Sequence, residues 1–151
     1  DIIGKREMLL PYNAHVLADN KVKYAYIVQR NHLNQDLTRY ERRRVWVLDS
    51  NLKPGTTHQY KRRTYYIDED TWTILAVDIY DGRDQLWRVQ EYHPVMVPWL
   101  KAVGPALATV YDLNANRYLV MEASNEEPLF EERDWDVDHF TTGSVQRMAT
   151  R

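Results

Sequence analysis

Aromatic side chains with a polar edge are the feature of this sequence that most directly suggests ligand binding. The 151-residue chain contains 11 Tyr and 5 Trp but only 2 Phe. Such rings suit the walls of binding cavities, because one edge can face water while the other lies against apolar groups. They recur in the segments that we predict to be strands, where they either line a cavity for an acyl chain or form core and cross-strand ladders. The cavity candidates are Trp46, Tyr60, Tyr66, Trp72, Trp87 and Tyr111.

Two short basic runs, residues 42–44 and 61–63, are predicted to lie on adjacent strands and to form a cationic patch. Such a patch could bind a phosphate or carboxylate head group, or contact anionic lipid at about 1 kcal/mol per charge. We select Arg44, Arg62 and Arg88 as candidate head-group contacts. Ion pairing with nearby carboxylates is the open alternative, and the acidic residues considered for it are Asp68, Glu69, Asp70 and Asp78.

An apolar stretch lies between Pro94 and Pro105 and includes Val97, Trp99 and Leu100. Contiguous apolar side chains that are exposed usually mark an interaction site. We therefore expect these three residues to form a lid loop over the mouth of a cavity, or to insert into a partner or a membrane interface. A loop packed on its own core is the alternative.

The residues with acid–base capacity do not form a recognisable catalytic motif. There is no G-x-S-x-G elbow, no glycine-rich phosphate loop and no H-E-x-x-H spacing among the five His. We expect no enzymatic activity, no catalytic residue, no metal site and no cofactor. The residues from which an acid–base pair could in principle be drawn are Asp78, Asp81, Glu91, His93 and Asp112.

The elements that must position these side chains are predicted from period-two alternation and turn signals. The fold class we expect is mainly β: a curved antiparallel meander forming a partial, unclosed barrel with one or two minor helices, in one domain over residues 1–151. Residues 93–105 are expected to be irregular, 125–138 to be an acidic loop, 23–29 to be a possible strand, and 141–149 to contain a short helix. The predicted strands are 44–50, 58–67, 72–80, 85–92, 106–113 and 117–122.

The charge distribution argues against a nucleic-acid partner. The formal net charge is −2, yet residues 1–63 contain 13 Lys and Arg against 6 Asp and Glu, and the remainder contains 7 against 16. A chain with negative net charge and no RNA-binding signature lacks the electrostatic footprint of a nucleic-acid binder. The asymmetry is either a basic binding face or two halves that pair across a sheet.

Neither a disulfide framework nor a membrane-spanning segment is expected. The sequence has no Cys, and no apolar run approaches the ~20 residues that cross a bilayer as a helix. The chain opens with Asp1-Ile2-Ile3 and shows no apolar signal-peptide region. We expect a processed product or a fragment.

Several short segments, in order along most of the chain, resemble the bacterial family known as domain of unknown function 1329. The first segments are residues 4–8 and 11–13, and a second group consists of residues 44–47 and 66–72. The remaining segments are Asp78-Ile79-Tyr80-Asp81-Gly82, Leu86-Trp87-Arg88-Val89, Val110-Tyr111-Asp112-Leu113 and Arg117-Tyr118-Leu119-Val120.

This resemblance implies an envelope protein of Gram-negative bacteria with a fold similar to lipoprotein carriers of the LolA/LolB type, here its C-terminal portion only. It implies a location in the periplasm or on the inner face of the outer membrane. The expected function is non-catalytic binding or carriage of a hydrophobic ligand, lipid-like or a lipoprotein acyl chain. The alternative is an envelope protein–protein interaction module. Open sheet edges would then pair with the missing N-terminal part, with another envelope protein or with a second copy.

Overall fold

The computed structural model describes residues 1–123, 125–126 and 134–149. Its centre is one seven-stranded antiparallel sheet in which each strand pairs with the next along the chain. This confirms the predicted mainly-β meander, and the sheet is not closed. The strands are β1 (Ile2–Pro11), β2 (Tyr40–Asn51), β3 (Arg62–Asp68), β4 (Ile74–Tyr80), β5 (Leu86–Val97), β6 (Ala102–Asp112) and β7 (Arg117–Met121).

The helical elements are short. Helix α1 is the single turn Tyr24–Ile27, and α2 is Thr142–Ala149. Three 3-10 turns cover His15–Ala18, Pro98–Leu100 and Val137–Phe140. None of the helices in the described ranges is long and apolar enough to span a membrane.

One face of the sheet, which we call the core face, carries Val45, His93 and Leu107. The segment between β1 and β2, residues 12–39, packs against its β5–β7 end. Long-range bonds hold the segment there, since the Tyr118 hydroxyl donates to the backbone oxygen of Gln29 at 2.8 Å. The cluster so formed consists of Ala14, Leu17, Ala18, Ile27, Leu33, Val95, Ala106 and Leu107.

Two expectations were wrong, namely that residues 93–105 are irregular and that residues 23–29 form a strand. Residues 93–105 belong largely to a β5–β6 hairpin, because a bulge between His93 and Pro94 admits a residue that has no N–H for the ladder. Residues 23–29 contain α1 rather than a strand, and only an isolated bridge joins Val28 to Leu33. Strand β1 was not anticipated at all.

The expected tail helix is confirmed as α2, with the Thr141 hydroxyl accepting the backbone N–H of Ser144 at 3.3 Å. The turn implied between the predicted strands 72–80 and 85–92 is also confirmed and lies at Asp81-Gly82. Its Asp81 carboxylate accepts the backbone N–H groups of Arg83 and Gln85. The predicted acidic loop at 125–138 lies in part outside the described residues.

Candidate functional site

The face opposite the core face, which we call the trough face, carries a depression of about 630 Å³ that runs from β3 to β7. This volume lies within the ~300–1,000 Å³ that small-molecule sites occupy. Continuous antiparallel register builds the depression, because residues at matched positions on neighbouring strands point to the same side. Three such rows of side chains cross the sheet.

The first row, which we call the charged row, is mostly ionic. The second, the apolar row, is mostly hydrophobic and includes the buried Val77. A third row, next to the second, adds Tyr92, Ala108 and Met121. The charged row is Arg63, Ile79, Arg88, Asp112 and Arg117. The apolar row is Tyr65, Val77, Gln90, Val110 and Leu119. Polarity therefore changes along the strand direction from charged to apolar.

The centre of the charged row is a neutralised pair braced by aromatic rings. Arg88 lies 3.2 Å from the Asp112 carboxylate and donates to the Tyr60 hydroxyl at 2.5 Å. Trp87 donates its indole N–H to Asp112 at 3.1 Å, and its ring stacks on the Arg88 guanidinium. Burial raises the pKa of Asp112, but the Ala115 N–H, Trp87 and Arg88 outweigh it, so this pKa lies below its ordinary value. Asp112 is thus ionised at neutral pH.

A second cavity of about 370 Å³ adjoins the charged row beneath the loop that joins β2 to β3. We call it the cationic pocket. It shares Tyr60 and Arg63 with the trough, so the two depressions are neighbours. Its other basic lining residues are Lys53, His58, Lys61 and Arg62.

The structure brings only part of the predicted aromatic set together. Tyr60 and Trp87 meet edge to face, with ring centroids 5.6 Å apart, and Tyr60 lines the trough. Trp46 lies on the trough face of β2, outside the lining, with the Lys5 ammonium 4.4 Å from its ring. Trp72 is 68% exposed in the turn between β3 and β4. It therefore does not line this depression.

Tyr66 and Tyr111 point to the core face instead. The Tyr66 hydroxyl donates to the Asp78 carboxylate at 2.8 Å, and burial, with that carboxylate, raises the pKa of Tyr66. Tyr111 stacks on Tyr118 with ring centroids 5.4 Å apart. For these two rings the geometry favours the open alternative of a core and cross-strand ladder.

All three predicted head-group arginines are engaged with carboxylates. Arg44 pairs with Glu69 at 2.5 Å and Arg62 with Asp84 at 3.1 Å, while Arg88 pairs with Asp112 as described. Similar pairs join the basic first part of the chain to the acidic remainder. They are Lys5–Glu69, Arg43–Asp68 and Arg43–Asp70.

The predicted lid residues lie at the β5–β6 hairpin, at the end of the sheet away from the charged row. Val97 ends β5 and is buried. Trp99 and Leu100 lie in the 3-10 turn that follows, where Trp99 is exposed and Leu100 half-buried. None of the three lines the trough.

The acid–base candidates are dispersed except for Glu91 and His93 on the core face. Their closest approach is 3.7 Å, from a Glu91 carboxylate oxygen to His93 Nε2. His93 is fully buried, and neither ring nitrogen has a hydrogen-bond partner among the described residues. Tyr40 lies beside them with its hydroxyl 3.4 Å from Glu91, and burial, then this carboxylate, raises the pKa of Tyr40.

Sequence reasoning did not select several residues that line the trough. They are Tyr65 on β3 and Arg117, Leu119 and Met121 on β7, whereas Arg63 belongs to the predicted basic run 61–63 without having been selected as a head-group contact. Period-two alternation in both segments was the available signal. Recognising that these residues lie together in one site also required the register between the strands.

Comparison with known proteins places the chain in a family. The model of the family described as protein of unknown function (DUF1329) matches residues 1–146. The chain belongs to this DUF1329 family. The uncharacterized protein PA3922 of Pseudomonas aeruginosa is 50% identical over 129 residues, which cover 82% of this chain and 27% of that protein. The chain thus spans about a quarter of the length of this curated relative.

Two solved structures resemble the sheet more distantly. A DUF1329 family protein from Desulfovibrio piger has a TM-score of 0.48 and 20% identity, covering 69% of this chain and 42% of that one. A domain assigned as an outer membrane lipoprotein-sorting protein from Vibrio parahaemolyticus has a TM-score of 0.45 and 12% identity. That match covers 87% of this chain and 59% of the other.

Proposed function

We propose that this chain binds a hydrophobic or amphipathic ligand in the trough and performs no chemistry on it. The observation that carries the proposal is the change of polarity along the trough, from the charged row to the apolar row. An acyl chain laid across Val110, Leu119 and Met121 would lose contact with water. Each buried CH₂ then contributes about 0.8 kcal/mol.

The charged row orients such a ligand. Arg88 is neutralised by Asp112, whereas Arg63 and Arg117 have no carboxylate within ion-pair distance in the described parts of the chain. Two uncompensated guanidinium groups at one end of an apolar surface favour an anionic group at that end of the ligand. The arrangement supports the expected carrier of a lipid-like molecule, with Arg88 alone of the three selected arginines at the site.

The proposal includes a location in the bacterial envelope, in the periplasm or at the inner face of the outer membrane. Its support is membership of the DUF1329 family, whose members resemble exported envelope proteins. A protein that carries lipid-like molecules between two membranes would work in that compartment.

A second candidate function is an interaction module for another envelope protein, another part of a longer polypeptide or a second copy. The observation that favours it is the β1 edge. β1 is an edge strand of the sheet in the described residues, where it pairs with β2, and its Ile2, Ile3 and Leu9 are exposed. An exposed apolar edge strand is a template for pairing with another chain.

Titration with the fluorescent fatty acid cis-parinaric acid tests the first candidate. We expect saturable binding by the chain and about tenfold weaker binding by the double variant Leu119→Gln, Met121→Gln, because the apolar contacts with the tail are lost. The matched control is Leu113→Gln, since Leu113 is 51% exposed, like Leu119 at 55%, but does not line the trough. Absence of binding, or equal binding by all three proteins, would contradict the proposal.

A further inference from the structure

The cationic pocket combines several positive charges with no negative one. The residues described as lining it include no Asp or Glu, and its cations come from the loop between β2 and β3 and from the start of β3. Arg62 is compensated, because it pairs with Asp84 at 3.1 Å and lies 3.6 Å from Asp49. Its neighbours Lys53, Lys61 and Arg63 differ, since no carboxylate of the described residues lies within ion-pair distance of them.

Other exposed cations of the described residues, such as Lys21 and Lys101, also lack a carboxylate within ion-pair distance, but Lys53, Lys61 and Arg63 line one cavity together. The basic run at residues 42–44 differs, because carboxylates pair with it: Arg43 meets Asp68, and Glu69 meets both Lys5 and Arg44. Three uncompensated cations around one 370 Å³ cavity repel one another unless an anion joins them. The positive charge of these three residues is thus not balanced by carboxylates of the described chain, whereas that of Arg44 is balanced by Glu69.

Further hydrogen-bond donors in the pocket add to its capacity for an oxyanion. His58 Nδ1 accepts the backbone N–H of Tyr60 at 3.0 Å, which leaves Nε2 to carry the ring proton as a donor. Ser50 and Thr57, which carry hydroxyl groups, also line the cavity. The loop itself is braced, because the Thr56 hydroxyl donates to the Lys53 backbone oxygen at 2.6 Å.

The pocket opens beside the trough at two shared residues. The Arg63 guanidinium lies 5.1 Å from the centre of the Tyr60 ring, and both line both cavities. Ser50 pairs with Arg63 across β2 and β3, so the charged row continues directly into the pocket. A molecule with an apolar tail in the trough would therefore reach the pocket with its polar end.

We propose that the cationic pocket, formed by Lys53, His58, Lys61 and Arg63, binds the phosphate-bearing head group of an amphiphile whose tail lies in the trough. This rests on the proposed function and specifies its ligand class. Three cations and a histidine donor match a phosphate monoester, which carries up to two charges and three terminal oxygens, better than a carboxylate, which carries one charge and two.

Two lipids with the same acyl chain test the assignment: 1-oleoyl lysophosphatidic acid, which carries a phosphate, and 1-oleoylglycerol, which carries none. We expect the chain to bind the phosphate-bearing lipid at least tenfold more tightly at low salt. The variant Lys53→Gln, Lys61→Gln should lose about tenfold in affinity for that lipid and keep its affinity for the neutral one. The matched control, Lys21→Gln with Lys101→Gln, removes two exposed lysines elsewhere and should change neither affinity.

The alternatives give distinct results. Equal binding of the two lipids overturns the head-group assignment and leaves the proposed function standing, whereas binding of neither overturns the proposed function itself. Oleate binding as tightly as the phosphate lipid shows that a carboxylate suffices and overturns the phosphate class. If inorganic phosphate displaces no lipid but binds at millimolar concentration to the wild type and not to the double variant, the pocket serves free phosphate and the link to the trough is wrong.

Discussion

The two faces of this sheet arise from the same seven strands but satisfy their polar groups in different ways. On the core face, charged groups meet partners inside the chain: Arg43 donates to Asp68 at 2.8 Å, and Thr64 donates to Asp49 at 2.6 Å. On the trough face, Arg63 has no carboxylate partner among the described residues, and apolar side chains such as Leu119 stay exposed.

This difference separates residues that hold the fold together from residues that remain available. Buried carboxylates on the core face such as Asp68 are paired, because an unpaired buried polar group costs about 1–3 kcal/mol, whereas His93 lacks a hydrogen-bond partner among the described residues. A cation near solvent, like Arg63, can remain without a carboxylate partner at little cost in stability and can bind an external one. We therefore expect substitutions on the core face to change stability, and those at exposed residues of the trough face, such as Leu119, to change binding.

The largest expected effect comes from Leu107, which is fully buried on the core face against residues 12–39. Leu107→Ala should lower the free energy of unfolding by about 3–4 kcal/mol, because it leaves a cavity within a fully buried apolar cluster. Leu119→Ala, the same change on the trough face, should cost less than about 1 kcal/mol. Urea unfolding of both variants checks the contrast, and equal losses would show that both faces are core.

A smaller loss is expected at Asp68, whose buried carboxylate accepts two bonds from Arg43 and two from Thr71. Asp68→Asn should cost about 3 kcal/mol at pH 7, at the low end for a broken buried pair because Arg43 also contacts Asp70. Chemical denaturation measures this loss. The exposed Asp36→Asn is the control.

The same residue gives a prediction about pH. Burial raises the pKa of Asp68, but the bonds from Arg43 and Thr71 outweigh it, so the pKa lies below its ordinary value. Its stabilisation is therefore complete above the unfolded pKa, about 3.9, and is lost as pH falls through the lower folded value. The wild type should lose stability below about pH 4 more steeply than Asp68→Asn does. Parallel slopes in acid would contradict this.

An effect of about 1 kcal/mol is expected where the charged row meets the aromatic rings. Trp87→Phe keeps a ring over Arg88 but removes the hydrogen bond to Asp112, and a net bond of this kind contributes about 1 kcal/mol. Thermal and urea unfolding measure the change. Trp99→Phe, at an exposed ring, should leave stability unchanged. A loss equal to that of Leu107→Ala would mean that Trp87 belongs to the core.

The smallest expected effect is at His93, which lies opposite Leu107 but has two ring nitrogens without hydrogen-bond partners among the described residues. His93→Leu exchanges a buried polar ring for an apolar side chain of similar size, so stability should change by less than about 1 kcal/mol or rise. Urea unfolding at pH 7 is the measurement. A loss above about 2 kcal/mol would reveal that the histidine makes a stabilising contact with Glu91.

Local alternation predicted much of the sheet. Val45 and Val47 opposite Trp46 and Leu48 were expected from the sequence, and the two valines are indeed buried while the other pair is half-buried. The Asp81-Gly82 turn was equally readable, because Asp81 accepts the N–H groups of its own turn. Such features depend only on neighbours a few residues apart.

The candidate site was less predictable because it depends on which residues of neighbouring strands point to the same face of the sheet. We call this alternation of faces along a strand its parity. Tyr60 and Tyr66 share the parity of one strand, yet Tyr60 precedes β3 and lines the trough, whereas Tyr66 faces the core. A bulge between Tyr66 and Ile67 and another at Pro94 shift the register of neighbouring strands. A one-residue shift exchanges the two faces, and nothing in the sequence of one strand reports it.

The sequence by itself determined most of the strands after β1, several of their turns and the alternation within them, because these follow from local backbone preferences and side-chain spacing. Since several strands are apolar on both sides, alternation could not decide which side would be covered. The tertiary structure decided it when residues 12–39 packed on one face, through contacts such as Tyr24 with Ala123 that join residues far apart in the chain. That packing left the opposite face, with Arg63 and Leu119, as the surface available for a ligand.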